Sequence, residues 1–179
     1  DRLAEPEQSE RVHCFDAASG KKLWMFHYPA PYTISYTAGP RAAPTVEDGR
    51  VFVLGAMAHF HCFDAATGDV LWKHDLNTEY KISKSRRMTI WGITSAPLVD
   101  GNLVILQIGG TDGACLVAFD KKTGKEQWRA LDDKASYSAP IVIQQAGQPV
   151  LLCWTGDHLA GLNPQTGDVH WKHAFAANR

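Results

Sequence analysis

The sequence predicts an all-β protein assembled from repeats of one antiparallel unit, and three observations carry that expectation. First, a stretch of eleven residues recurs four times: CFDAASGKKLW from Cys14, CFDAATGDVLW from Cys62, AFDKKTGKEQW from Ala118 and GLNPQTGDVHW from Gly161. Second, its anchors Asp16, Asp64, Asp120 and Asn163 are spaced by 48, 56 and 43 residues, and recurrence on this scale marks a repeat architecture. Third, paired apolar runs joined by turn residues precede three of the copies, at 43–53, 95–105 and 138–152. Asp48-Gly49 and Asp100-Gly101 are strong hairpin signals, and Ala146-Gly147-Gln148-Pro149 reads as the equivalent turn. Each complete copy therefore supplies four strands, A to D.

Within the recurring stretch, each part has a physical task. Apolar alternation leads into a tight turn whose Asp or Asn side chain accepts hydrogen bonds from the turn backbone. Ser19, Thr67, Thr123 or Thr166 does so more weakly, and Gly20, Gly68, Gly124 or Gly167 supplies a positive φ. A tryptophan follows four residues after each glycine, at Trp24, Trp72, Trp128 and Trp171. Burying an indole takes a neighbouring sheet and one acceptor for its N–H, which a lone hairpin lacks and the next copy can provide. Residues 1–10 read as an acidic loop, followed by half a unit at 11–26 with strands at about 11–16 and 21–26; full units fall at about 42–75, 94–130 and 137–174.

The pattern Ala/Cys/Gly-x-Asp/Asn-x-x-Thr/Ser-Gly-x-x-x-Trp resembles the tryptophan-docking motif of the quinoprotein-type β-propellers, the pyrroloquinoline-quinone (PQQ)-like repeat family. The resemblance implies that residues 1–179 are a partial propeller domain of about three and a half four-stranded blades, belonging to a ring of six to eight. A chain that opens between strands B and C of its first blade, with no spare A–B pair at its end, is expected to be a segment of a longer protein. The competing expectation is a complete small β-sandwich, which would leave the terminal tryptophans uncovered.

The family mixes quinone dehydrogenases with non-catalytic scaffold propellers, so the resemblance speaks to fold before function. It implies an exported, periplasmic or otherwise extracytoplasmic protein. The leading expectation is a non-catalytic binding or protein-interaction scaffold; the alternative is part of a PQQ-dependent dehydrogenase. Active members sandwich the quinone between a tryptophan and a disulfide of adjacent cysteines, and hold calcium through Glu, Asn and Asp. Cys14, Cys62, Cys115 and Cys153 include no adjacent pair, and no such calcium triad is matched residue by residue. No cofactor is therefore expected; PQQ and calcium enter only if other blades supply the site.

Composition narrows the classes further. With 45% hydrophobic residues and a formal net charge of −1 over 179 residues, the chain has the means for a core and lacks the basic excess of a general nucleic-acid binder. No apolar run approaches the ~20 residues of a membrane helix, and the polar start is not a signal peptide. The four cysteines lack C-x-x-C spacing and read as free structural thiols.

Strand connectivity sorts the remaining residues. The A–B and C–D turns belong to one end of the blades, while the D–A loops (27–42, 75–93, 131–137) and B–C loops (55–58, 108–114, 154–157) belong to the other. The second end holds the residues without repeat equivalents, and function on rigid scaffolds concentrates in such loops. It gathers a candidate face for an unidentified protein or small-molecule ligand: Tyr32, Tyr36, Arg41, Arg86, Arg87, Trp91, Asp112, Tyr137, Trp154 and Asp157. Trp91 and Trp154 are expected either to stack a flat ligand or to anchor loops. Substituting Arg87 or Trp91 is expected to weaken binding with little effect on stability.

Four further patterns have plain readings. His59-x-His61 spaces two ligands on one strand face, yet His13 and His158 occupy equivalent registers in other copies, a blade apart, so a metal site is not expected. The loop 108–114 lacks the spacing of a phosphate-binding loop and precedes a strand. Asp132-Asp133 reads as a solvated turn, and Lys81–Arg87 as a basic loop able to meet an anionic partner.

Overall fold

The structure is a computed structural model that describes residues 1–33, 39–85 and 87–175. Its strands form four sheets, each an antiparallel meander in chain order. The first contains β1 (Arg2–Leu3), β2 (Ser9–Phe15) and β3 (Lys22–Pro29). The second contains β4 (Thr45–Glu47), β5 (Arg50–Leu54), β6 (His59–Asp64) and β7 (Val70–Asp75). The third runs through β8 (Leu98–Asp100), β9 (Leu103–Gln107), β10 (Leu116–Asp120) and β11 (Glu126–Ala130). The fourth runs through β12 (Ile141–Gln145), β13 (Gln148–Trp154), β14 (His158–Leu162) and β15 (Val169–Ala174).

Two local expectations need correction. Residues 1–10 are not all loop: β1 pairs with β2, Arg2 opposite Glu10, so the first sheet gains a short third strand and β2 begins at Ser9. The long connection after β7 opens with a helical turn, α1 (Leu76–Glu79), whose N-cap Asp75 accepts the Thr78 N–H.

The recurring turns follow local chemistry. The Asp64 side chain accepts the N–H groups of Ala66 and Thr67 at 2.9 and 3.0 Å, and Gly68 sits at φ +78°. Asp16, Asp120 and Asn163 hold their turns in the same way. Hydrogen bonds to the charged form pull these carboxyls below the ordinary range, the Ser19 hydroxyl and then its N–H at Asp16, and the turn N–H groups first at Asp64 and Asp120. A bulge recurs at one place in every copy, at Cys14/Phe15, Cys62/Phe63, Ala118/Phe119 and Gly161/Leu162. It inserts one residue ahead of the tryptophan and so sets the face on which the indole emerges.

Three apolar cores lie between successive sheets, which rules out a single two-layer sandwich. Val12, Trp24 and Phe26 meet Val51, Val53 and Phe63. Phe52, Phe60 and Trp72 meet Val104, Val117 and Phe119. Leu103, Leu116 and Trp128 meet Leu151, Ala160 and Leu162. Each of the first three indoles lies over the turn glycine of the next sheet, where a Cβ on Gly68, Gly124 or Gly167 would come within 2.6, 2.8 or 2.6 Å of the ring. Trp24 Nε1 donates to the Ala65 carbonyl at 2.9 Å and Trp72 Nε1 to that of Lys121 at 3.3 Å. Trp171 differs: its ring lies over Gly161 of its own sheet and its N–H goes to Gln145.

Candidate functional site

The connections segregate to two ends as strand parity requires. At the turn end, contacts repeat from sheet to sheet: Lys121 Nζ bridges Glu47 (3.0 Å) and Asp48 (2.7 Å), and Gln165 donates to Asp100. At the loop end, contacts are individual. The Ile93 N–H donates to the Ala56 carbonyl, the Thr111 N–H to that of Tyr80, and the Gly156 N–H to that of Lys134. Neighbouring D–A and B–C loops are thus tied together by backbone hydrogen bonds.

On this end three D–A loops meet around an open recess of about 580 Å³ lined by Arg41, Trp91, Thr94 and Tyr137. The Trp91 N–H reaches the Tyr137 hydroxyl at 3.4 Å, and Thr94 Oγ1 donates to the Tyr137 carbonyl at 3.5 Å. Ile90, adjacent in sequence, is 76% exposed. Two aromatic side chains, a threonine and an arginine thus border the recess.

Of the other candidate residues, some are placed differently from expectation. Arg87 is a staple between loops: its Nη1 donates to the carbonyls of Gly110, Asp132 and Asp133 at 3.3, 3.0 and 3.3 Å, and its Nη2 pairs with the Asp132 carboxylate at 3.0 Å. The expectation that it is dispensable for stability does not survive that geometry. Tyr32 is buried and donates to Glu10 at 2.8 Å, so it belongs to the interior and not to an open face. Asp157 accepts the Lys134 N–H, while Trp154, 37% exposed, donates to the Phe175 carbonyl and meets that ring edge-on. Both brace their loops. Asp112 is exposed in a loop position with φ +59° and accepts from Thr111. Tyr36 and Arg86 lie outside the described residues.

Two buried carboxylates escaped sequence reasoning. Glu10, 1% exposed, accepts from the Tyr28 hydroxyl at 2.5 Å, from Tyr32, and from the Ala56 N–H at 3.2 Å. Burial, with the carboxylate's charge and hydrogen bonds, raises both phenols well above the ordinary tyrosine range. The signal for Glu10 was its parity with the inward residues Val12 and Cys14. Asp133 is likewise not a solvated turn residue: it is buried, accepts from Thr155 Oγ1 at 2.6 Å and lies 2.9 Å from His158 Nδ1. Because the buried Thr155 hydroxyl faces the carboxylate, the trio is a brace and not a nucleophile with its base.

The His59 and His61 pair is packing. Both rings lie against Tyr28, at 5.3 and 4.6 Å, and His61 also stacks on Phe63. Burial first, then His59 and Lys73, lowers the His61 pKa to about 4. All four cysteines are free, with burial pushing Cys62 and Cys153 up to about 12 and Cys115 well above its usual value. Among the described residues, no group of three or more His, Cys, Asp or Glu is arranged to hold a metal ion. No helix among them is long and apolar enough to cross a membrane.

Serial antiparallel sheets, with the indoles of the first three seated on the next sheet's turn glycine, define consecutive blades of a β-propeller. Residues 8–179 match the family model described as outer membrane protein assembly factor BamB, and the chain belongs to that family of PQQ-like repeats. Its fold is similar to that of BamB from Moraxella catarrhalis (TM-score 0.64, 20% identity, covering 93% of this chain and 44% of that one). It is also similar to quinohemoprotein alcohol dehydrogenases from Pseudomonas putida HK5 (0.56, 22%, covering 80% and 22%) and Comamonas testosteroni (0.57, 22%, covering 76% and 21%). The chain thus spans less than half the length of each of these structures. No curated protein sequence matches it.

Proposed function

We propose that this chain is part of a non-catalytic PQQ-like repeat propeller that acts as a binding or protein-interaction scaffold outside the cytoplasm. The supporting observation is the recess of Arg41, Trp91, Thr94 and Tyr137, which sits on loops bound to one another, whereas the described thiols and the His59 and His61 pair serve packing. A rigid platform with an amphipathic hollow and, among the described residues, no placed nucleophile suits recognition better than turnover. The family description, an outer membrane protein assembly factor, agrees with an extracytoplasmic partner protein.

The test is site-specific photo-crosslinking in the cells that make the protein, with the reactive group at Tyr137 on the loop end or at Gln148 on the turn end. A discrete adduct from position 137 and none from 148 is expected. Equal labelling from both positions would count against the reading. Reduction of an electron-accepting dye with an alcohol, dependent on added PQQ and calcium, would favour the dehydrogenase alternative instead.

A further inference from the structure

Charge is unevenly spread along the chain. From Tyr80 to Val99 there are four Lys or Arg and no Asp or Glu, so a net charge of −1 overall leaves −5 for the rest. This segment joins the second sheet to the third, with a sheet on either side of it, so what it exposes does not depend on the ends of the chain.

The loop is held along its length. Ile82 and Ile93 are buried, the Thr111 N–H donates to the Tyr80 carbonyl and the Ile93 N–H to that of Ala56, and Arg87 ties the middle to three carbonyls of neighbouring loops. Between those anchors it presents a basic turn and an apolar tip. Lys81 and Lys84 are exposed in a turn closed by the Ser85 N–H on the Lys81 carbonyl. Neither enters an ion pair among the described residues, whereas Arg87 is matched by Asp132. Ile90, at 76%, is the most exposed large apolar side chain among the described residues, and Trp91 beside it reaches the half-exposed Tyr137 through its backbone N–H.

We propose that the 80–93 loop docks onto an anionic phospholipid surface, with Ile90 entering between headgroups and Lys81 and Lys84 lying against lipid phosphates. An aliphatic tip on a fixed loop, next to an indole and a phenol and flanked by lysines, has the chemistry of a membrane-interface contact: aromatic rings settle at headgroup level and ammonium groups reach the phosphates. Lysine is depleted where proteins bury surface against each other, so the two unmatched ammonium groups favour lipid over a protein partner. The contact is peripheral and independent of the binding reading above, which stands on the recess.

The full chain, mixed with phosphatidylcholine vesicles containing about 30% phosphatidylglycerol, is expected to float with them on a density gradient. It should stay behind with pure phosphatidylcholine and be released at about 0.5 M salt. Lys81→Gln combined with Lys84→Gln is expected to weaken partitioning about 25-fold, at roughly fivefold per cation, and Ile90→Ser roughly tenfold. Lys122→Gln combined with Lys125→Gln removes the same charge from exposed positions at the turn end, and should leave partitioning within about twofold because the surface potential fades within a Debye length. No flotation with anionic vesicles, equal losses from the two lysine pairs, or an Ile90→Ser variant that floats like the parent overturns the proposal. A photo-reactive group at position 90 that captures a discrete protein in cells and no lipid overturns it too, and gives the tip to a protein partner. A missing adduct from position 137 bears on the binding reading alone.

Discussion

Replacing one turn glycine by alanine in two copies separates backbone strain from indole docking. Gly20 and Gly124 share a left-handed conformation, at φ +69° and +72°, so alanine at either costs the same backbone strain of roughly 1–2 kcal/mol. Their surroundings differ. Gly20 opens on empty space, whereas a Cβ on Gly124 would stand 2.8 Å from Trp72 Cδ2. The indole has little room to retreat, because Phe60 meets it edge-on at 5.2 Å and its N–H is tied to the Lys121 carbonyl. Overpacking of this kind adds roughly 1–3 kcal/mol. Gly124→Ala should therefore cost about 2–5 kcal/mol and Gly20→Ala about 1–2 kcal/mol, from the sum of those two effects. Urea unfolding by tryptophan fluorescence measures both, with slopes compared to check that the unfolded states are alike. Equal costs, within about 0.5 kcal/mol, would show that the turn glycines serve backbone geometry alone and that the indole contact adds nothing.

Three other outcomes are expected. Arg87→Ala should lower stability by roughly 1–3 kcal/mol, since a guanidinium bonded to three carbonyls and a carboxylate is lost, and Arg87→Lys should restore little because an ammonium lacks the planar fork. Glu10→Ala should cost at least about 3 kcal/mol in denaturant, because it strands the Tyr28 and Tyr32 hydroxyls and the Ala56 N–H in the interior; a neutral result would mean water fills the gap. His61, with its folded pKa lowered to about 4 from 6.5, binds its proton more readily in the unfolded chain. Its contribution is present above pH 6.5 and is lost as pH falls toward 4. Between pH 7 and 4.5 the parent should therefore lose about 2 kcal/mol more than His61→Phe, at roughly 1.4 kcal/mol per pH unit; parallel pH curves for the two proteins would refute it.

What was legible in the sequence was what is local or repeated. The Asp-to-Gly turns could be read because the hydrogen-bond acceptor, the turn backbone and the left-handed glycine lie within five residues of one another, as at Asp64 to Gly68. The split between turn end and loop end was legible too, because strand parity alone determines it. The recess residues Arg41, Trp91 and Tyr137 were accordingly named together across nearly a hundred positions. What stayed hidden depends on contacts between copies that no local rule encodes. Asp132 and Asp133 are adjacent and chemically identical, yet one is exposed and pairs with Arg87 while the other is buried under Thr155 and His158. Tyr32 looked like a loop aromatic because its partner Glu10 lies on a different strand.

The same geometry explains why any site on this scaffold must come from what is not repeated. Residues at one register of successive copies, such as His13 and His61, are held a sheet apart by the docked indoles, so they cannot converge on one atom. Convergence is available at the loop end, where chain lengths differ between copies, but long loops there would lose the rigidity that the sheets supply. Arg87 meets that difficulty. It joins the 80–93 loop to the 108–114 and 131–137 loops through backbone carbonyls, and two of these three loops carry Trp91 and Tyr137. A staple made to carbonyl oxygens is indifferent to the side chains on those loops, so the recess can change its lining residues while keeping its shape. In this protein a residue that does not line the recess thus helps to position the loops that do.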